Sequence, residues 1–350
     1  MEKSKKLIEL DAASVIFMLL VIFIHVSAEC VTKFNTDSIQ FVLICSAHRL
    51  SSFVVQGFIF LSGLKLFLPR HGNFSYSRFY LSRIKRVVLP YICVFSVFTV
   101  YFIITKRIAT DPIYILKSLL TGSMVGHFYF VAIICQFYLL IPLWRFIAKR
   151  CSPILSVFVS LIIMLICNSF LPEIIITAFG AELTMNSHLF TSYLFYFVCG
   201  IFAGQYYEAF CGFIRKRTCE LAILFASLGS IDCLLILVIR KGLYYPSWAD
   251  YFHAAYCTIA VLFTMSVVLL FKDNNALSEE IVSRLSAISY YVYLIHPLFI
   301  FICESLLSGF GIASLSLRFL VKFIFTYSFS IVPLLLIFYF AKKYLDKPRA

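Results

Sequence analysis

Leu10-Asp11-Ala12-Ala13-Ser14-Val15-Ile16-Phe17-Met18-Leu19-Leu20-Val21-Ile22-Phe23-Ile24-His25-Val26-Ser27-Ala28-Glu29-Cys30 is the stretch whose reading decides the fold. Between Ala12 and Val26 it carries no formal charge. As a helix rising about 1.5 Å per residue it spans roughly 20 Å or more, close to what a bilayer demands. Asp11 and His25 then sit near opposite faces of the membrane. At about 100° per residue, Ser14, eleven positions before His25, returns to nearly the same side, and Glu29, four positions after it, shares that side. One stripe therefore carries Ser14, His25 and Glu29. A histidine near the end of a membrane helix with a carboxylate one turn on suits a general base whose tautomer and basicity the carboxylate sets. It equally suits an interfacial histidine at headgroup level.

The remainder of the 350 residues has the same character: 62% hydrophobic, 13% charged, with a mean hydropathy of +0.95. That balance excludes a soluble domain and predicts an all-α polytopic membrane protein. Cys93, Cys135, Cys167, Cys199, Cys233 and Cys257 fall inside apolar runs, where cysteine behaves as a small apolar residue, so no disulfide framework is expected. The net charge of +13 is spread over short loops rather than gathered in one patch, which argues against a nucleic-acid partner and for topology signals. No small-residue cleavage pattern follows the first apolar run, so it reads as a retained helix rather than a signal peptide.

Apolar windows of about 17 to 25 residues give ten candidate helices: 10-29, 48-68, 84-105, 127-147, 153-171, 188-207, 220-239, 252-271, 287-307 and 318-341. An even number puts both termini on one side. Twenty basic residues, from Lys3 to Arg349, flank that side, against eight on the other: Lys33, Lys106, Arg107, Lys117, Arg240, Lys241, Arg318 and Lys322. The asymmetry places both termini in the cytoplasm, with His25 near the outer leaflet and Ser14 near the inner one. No connection is long enough for a second domain, so residues 1-350 read as one transmembrane domain. Gly200 and Gly204 have a spacing suited to close helix packing.

Four further segments carry chemistry. His48 and Arg49 open the second helix from the outside, on the side of His25, ahead of Gly57-Phe58-Ile59-Phe60-Leu61-Ser62-Gly63. An arginine there needs an anion, a carbonyl or water. It positions an acceptor's polar groups or stabilises an oxyanion, or it makes a salt bridge with Glu29 or Asp37. The most basic loop runs Arg78-Phe79-Tyr80-Leu81-Ser82-Arg83-Ile84-Lys85-Arg86, then Leu89-Pro90-Tyr91. Arg83 and Arg86, three apart on an incipient helix, point the same way and suit forked hydrogen bonds to phosphates; the same cluster also serves as a topology signal or a contact with anionic lipid. Gly126-His127-Phe128-Tyr129-Phe130 opens the fourth helix, with His127 on the outer face, and Ser289-Tyr290-Tyr291-Val292-Tyr293-Leu294-Ile295-His296-Pro297 puts His296 near mid-membrane, with Tyr290 or Tyr293 as its partner. Asp232 and Glu304 are polar groups in apolar surroundings, each a packing hydrogen bond or part of a site. No His, Cys or acidic spacing points to a metal, and no Ser-His-Asp hydrolase motif stands in the sequence.

Asp11 and His25, the 57 to 63 segment, Arg83 to Tyr91, Gly126 to Pro142 and Tyr290 to Pro297, in this order on ten helices, together resemble the acyltransferase 3 family of integral-membrane acyltransferases, along nearly the whole chain. The resemblance implies a ten-helix enzyme with no tightly bound cofactor. It takes an acyl group, most often acetyl, from cytoplasmic acyl-CoA and passes it to a hydroxyl of a cell-surface or exported glycan. It implies a multi-pass protein of the cell membrane, close in feel to members associated with exopolysaccharide, with a glycan-synthesis complex as a further partner. His25 matches the family's essential histidine, and Arg83 and Arg86 match the arginine pair that handles CoA. On this reading His25 is the general base, Glu29 its orienting carboxylate, and Arg49, His127 and His296 line the path. The chain departs from the family at Ser14, where the pattern has an arginine, and at Tyr129, where it has tryptophan. The first departure implies a weakened or altered donor site, or replacement of the arginine by Lys5, Lys6 or Arg86. Two other readings stand beside the enzyme: an exporter or flippase for a polysaccharide or lipid-linked sugar, and an inactive partner in glycan synthesis.

Overall fold

The computed structural model describes residues 7–69, 73–179 and 188–345; Lys5 and Lys6 lie outside the described residues. Among the described residues there are helices and no strand. In chain order the helices begin with α1 (Ile8–Lys33), α2 (Ile39–Ser51), α3 (Val54–Phe67), α4 (Tyr76–Arg83), α5 (Leu89–Ile104) and α6 (Pro112–Thr121). They continue with α7 (Tyr129–Leu139), α8 (Ile141–Arg150), α9 (Pro153–Phe179), α10 (Leu194–Gln205) and α11 (Tyr207–Lys216). The last four are α12 (Thr218–Arg240), α13 (Ala249–Asp273), α14 (Glu279–Gly309) and α15 (Leu315–Leu345).

Among the described residues eight stretches are long and apolar enough to cross a membrane, and up to ten if two bent pairs each count as one crossing. All ten windows read from the sequence fall on these stretches. The bent pairs are α7 with α8, at 57°, and residues 190–205 with α11, at 105°. Pro142 explains the first bend: it cannot donate an amide hydrogen bond back into α7, yet it suits the first turn of a new helix. The second crossing differs from the sequence reading. It covers Ile39–Phe67, not 48–68, because Ser38 caps α2 by accepting from the Phe41 amide. His48 is thus nine residues, about 14 Å, into the crossing rather than at its mouth.

The chain divides into two compact units, residues 1–58 with 211–350, and residues 59–210. In the first unit, Val15, Met18, Ile22 and Val26 of α1, spaced three and four apart, bury against Ile288 and Val292 of α14. Polar contacts hold the start of α1 and its middle. Ser286 Oγ donates to Asp11 Oδ1 at 2.8 Å, Lys272 Nζ to the buried Glu9 at 2.8 Å, and Tyr327 Oη to the Leu19 carbonyl at 2.6 Å. In the second unit, α3 and α10 touch backbone to backbone: a Cβ at Gly63 would strike the Phe197 carbonyl, and one at Gly200 the Phe60 carbonyl. The Gly200 and Gly204 spacing does what such spacings do in membranes, letting main chains approach.

Candidate active site

His25 lies on the face of α1 turned to α14. Its ring centroid is 5.1 Å from that of His296, at 44° between ring planes. The Ile295-His296-Pro297 sequence explains how His296 is held. Proline lacks the N–H that would bond the carbonyl four residues back, that of Tyr293. His296 Nδ1 takes that acceptor instead, at 2.8 Å, with Val292 O at 3.2 Å. Two backbone carbonyls of its own helix thus face His296 Nδ1, and the Tyr293 ring lies 6.2 Å from its ring, centroid to centroid. Donation from Nδ1 makes Nε2 the acceptor nitrogen of this fully buried ring.

The rest of the stripe separates by partner. Ser14 Oγ donates to its own helix at Leu10 O, 2.8 Å away, as a mid-helix serine in apolar surroundings does. Glu29 accepts from Lys33 at 2.8 Å and from the buried Lys322 of α15, and Arg318 Nε lies at 3.7 Å. Lys322 Nζ and Arg318 also reach the two oxygens of Glu304. Glu29, expected to orient His25, is held in an ion cluster that ties the end of α1 to α14 and α15. Neither Lys322 nor Arg318 was counted as anything but a topology signal in the sequence.

Arg49 is likewise not bridged to Glu29 or Asp37. Its Nε and Nη2 fork onto Asp232 of α12 at 2.9 and 3.0 Å, while Asp37 pairs with Lys241. Asp232 is wholly buried, and it also accepts from His253 Nδ1 at 2.8 Å. Next to Arg49, His48 Nδ1 is 2.9 Å from Ser27 Oγ, two residues beyond His25. His253 escaped the sequence reading, and His48 was named there without its Ser27 partner, because the partners lie on other helices; Asp232 was noted only as a polar group inside an apolar run.

The other site residues belong to the second unit. Arg83 ends α4, with its guanidinium over the rings of Phe79 and Tyr138, at 5.1 and 5.0 Å. Arg86 is exposed and stands within a π-helical turn, Ile84–Val88. Pro90 causes that turn: with no amide proton it cannot bond the Arg86 carbonyl, and the Leu89 amide reaches the Ile84 carbonyl instead. The wider turn gives the two arginines different surroundings, where an unbroken helix would have set them alongside each other. His127 precedes α7 rather than opening it and is buried against Phe98 and Phe128, with centroids at 6.1 and 4.3 Å. Tyr129, at the family's tryptophan position, stacks on His188 at 5.3 Å. Among the described residues no group of three or more His, Cys, Asp or Glu could hold a metal ion.

Compared with known families, the chain matches the model described as an acyltransferase domain, that of acyltransferase 3, over residues 7–339. It belongs to this family. The protein is thus a multi-pass membrane acyltransferase, and the match takes in every helix that carries the residues above. Neither the curated proteins nor the solved structures contain a match to it.

Proposed function

We propose that this acyltransferase moves an acyl group, acetyl in the first instance, from cytoplasmic acyl-CoA to a hydroxyl of a cell-surface or exported carbohydrate. The observation that supports the reading best is the His25 and His296 pair, two imidazoles in ring contact between two membrane crossings of a chain that matches an acyltransferase family over residues 7–339. Imidazole is the side chain suited to taking a proton from an alcohol near neutral pH. His25 acts as the general base on the acceptor hydroxyl; overall, a C–O ester bond to the acceptor replaces the thioester C–S bond and CoA leaves as the thiol. Arg83 and Arg86 grip the donor phosphates, a role suited to guanidinium forks on a basic loop. Glu29 fixes the end of α1 one turn beyond His25, and Arg49, His127 and His296 line the path. Both termini and the basic loop face the cytoplasm of the cell membrane, and the protein works beside other glycan-synthesis proteins.

The test is transfer from labelled acetyl-CoA by cells or nanodisc-held protein. His25→Ala abolishes glycan acylation while glycan export continues; Arg83→Ala with Arg86→Ala weakens acetyl-CoA binding. Acylation unchanged in His25→Ala removes the base assignment, and failed export with acylation intact favours the exporter.

A further inference from the structure

We propose that Ser52 is a nucleophile: Ser52, His253 and Asp232 form a catalytic triad in the first unit, reactive toward an activated ester or thioester. The three residues come from three separate stretches of the chain. Asp232 Oδ2 accepts from His253 Nδ1 at 2.8 Å, and His253 Nε2 stands 3.1 Å from Ser52 Oγ. Donation from Nδ1 to the carboxylate fixes the tautomer and turns Nε2, as acceptor, toward the serine. Asp232 is entirely buried, and an ionised carboxylate survives in such a place only if paired. The two-pronged Arg49 supplies the pairing, Nη2 on Oδ1 and Nε on Oδ2, and Oδ2 accepts from His253 Nδ1 as well, orienting the imidazole.

Ser52 occupies the break between α2 and α3, two residues before α3 begins. The first-turn amides of α3 open toward that break, the direction from which an oxyanion is stabilised. Its hydroxyl also reaches the Arg49 carbonyl, at 2.6 Å, so one proton has two acceptors and rotates between them. Cys257 Sγ lies 3.3 Å from the same Nε2, but Cys257 is fully buried whereas Ser52 and His253 are each partly exposed. The serine is the group a substrate can meet.

The nature of the transferred group rests on the acyl-transfer reading above; the reactivity of the serine does not. With a thioester, Ser52 Oγ bonds the carbonyl carbon, its proton passes to His253 Nε2, the C–S bond breaks, and the thiolate leaves with that proton. An acceptor hydroxyl then attacks the acyl-serine, forming the ester and restoring Ser52. Transfer in this protein is accordingly covalent and in two steps.

The experiment uses a fluorophosphonate probe, whose small apolar form partitions into the bilayer, on the full-length protein in nanodiscs. Attack by Ser52 Oγ forms an O–P bond and expels fluoride. The expected result is stoichiometric labelling, an adduct that peptide mass spectrometry places on Ser52, and a loss of labelling of at least tenfold in both Ser52→Ala and His253→Gln. Site mapping on the wild type needs no variant to fold, and size-exclusion profiles verify the variants. An unlabelled wild type, an adduct on Cys257 or elsewhere, or labelling that persists in His253→Gln overturns the triad. Labelling at Ser52 without acetyl-CoA binding keeps the triad and rejects the donor; acetyl transfer without labelling does the reverse.

Discussion

Asp232→Ala should be among the most damaging single substitutions in the first unit, and the reason lies in the group left behind. Asp232 accepts three hydrogen bonds, two from Arg49 and one from His253, and is 0% exposed, while the Arg49 side chain is 17% exposed. Truncation strands a guanidinium about a third of the way along a membrane crossing. Breaking a buried ion pair from one side costs about 3–5 kcal/mol. An arginine at the centre of a membrane helix costs about 2.5–3.5 kcal/mol on insertion scales, so two independent routes give similar figures. Replacing both partners by apolar residues of similar volume, Arg49→Met with Asp232→Leu, removes the charge altogether and leaves only the His253 N–H without its acceptor, about 1–3 kcal/mol. The double variant should therefore be more stable than the single Asp232→Ala. Urea unfolding in detergent, followed by fluorescence of Trp144 and Trp248, measures both. A double variant that loses as much as the single one would refute the reasoning, because the cost would then come from packing at Asp232 and not from an orphaned charge.

Three other outcomes follow from the geometry. Pro297→Ala restores an amide that competes with His296 Nδ1 for the Tyr293 carbonyl, so stability holds or rises while acyl transfer falls; unchanged transfer in labelled-donor assays would separate the tautomer of His296 from function. Gly200→Ala sets a Cβ against the Phe60 carbonyl, a backbone atom with no rotamer to escape into, and should destabilise by about 1–3 kcal/mol in the same unfolding assay. Lys322→Met leaves Glu29 and Glu304 facing each other without the buried ammonium between them, which costs about 3–5 kcal/mol, and Glu29→Gln with Lys322→Met should recover part of that loss.

What was legible in the sequence was whatever depends on local spacing. Ten apolar windows fall on the membrane crossings because hydropathy over some twenty residues is a property of one segment. The errors at their ends have local chemical causes that were visible but unweighted: Ser38 as a cap, Pro90 as the source of a π turn, Pro142 as a bend. Arg83 and Arg86 were read as neighbours on one face because an α-helix was assumed across a stretch that Pro90 prevents from closing its usual hydrogen bond. The ring contact of His25 with His296 needed the α1 and α14 packing, which no spacing within either helix reports.

The charged residues show why the remainder was hidden. Arg49 and Asp232 are 183 positions apart, and Glu29 and Lys322 are 293 apart. In water each could be solvated alone, and sequence would carry no demand for a partner. Inside a bilayer the demand exists, since an isolated charge there is costly, but it specifies only that some partner must come, not which. The sequence reading accordingly marked Arg49, Asp232 and Glu304 as polar groups in apolar surroundings, and the salt bridge it offered Arg49, beside an acceptor or oxyanion role, was with carboxylates nearer along the chain, Glu29 and Asp37. Those two were already taken by Lys322 and Lys241, cations that the same reading had assigned to topology alone. Within a membrane crossing, every intramembrane arginine or lysine should first be matched against every intramembrane carboxylate, and only those left over should be given to the loops. Applied here, that order of assignment narrows the partner of Arg49 to acids such as Asp232 and Glu304 inside apolar runs, the helix packing selects Asp232, and the carboxylate so anchored is the one that holds His253 facing Ser52.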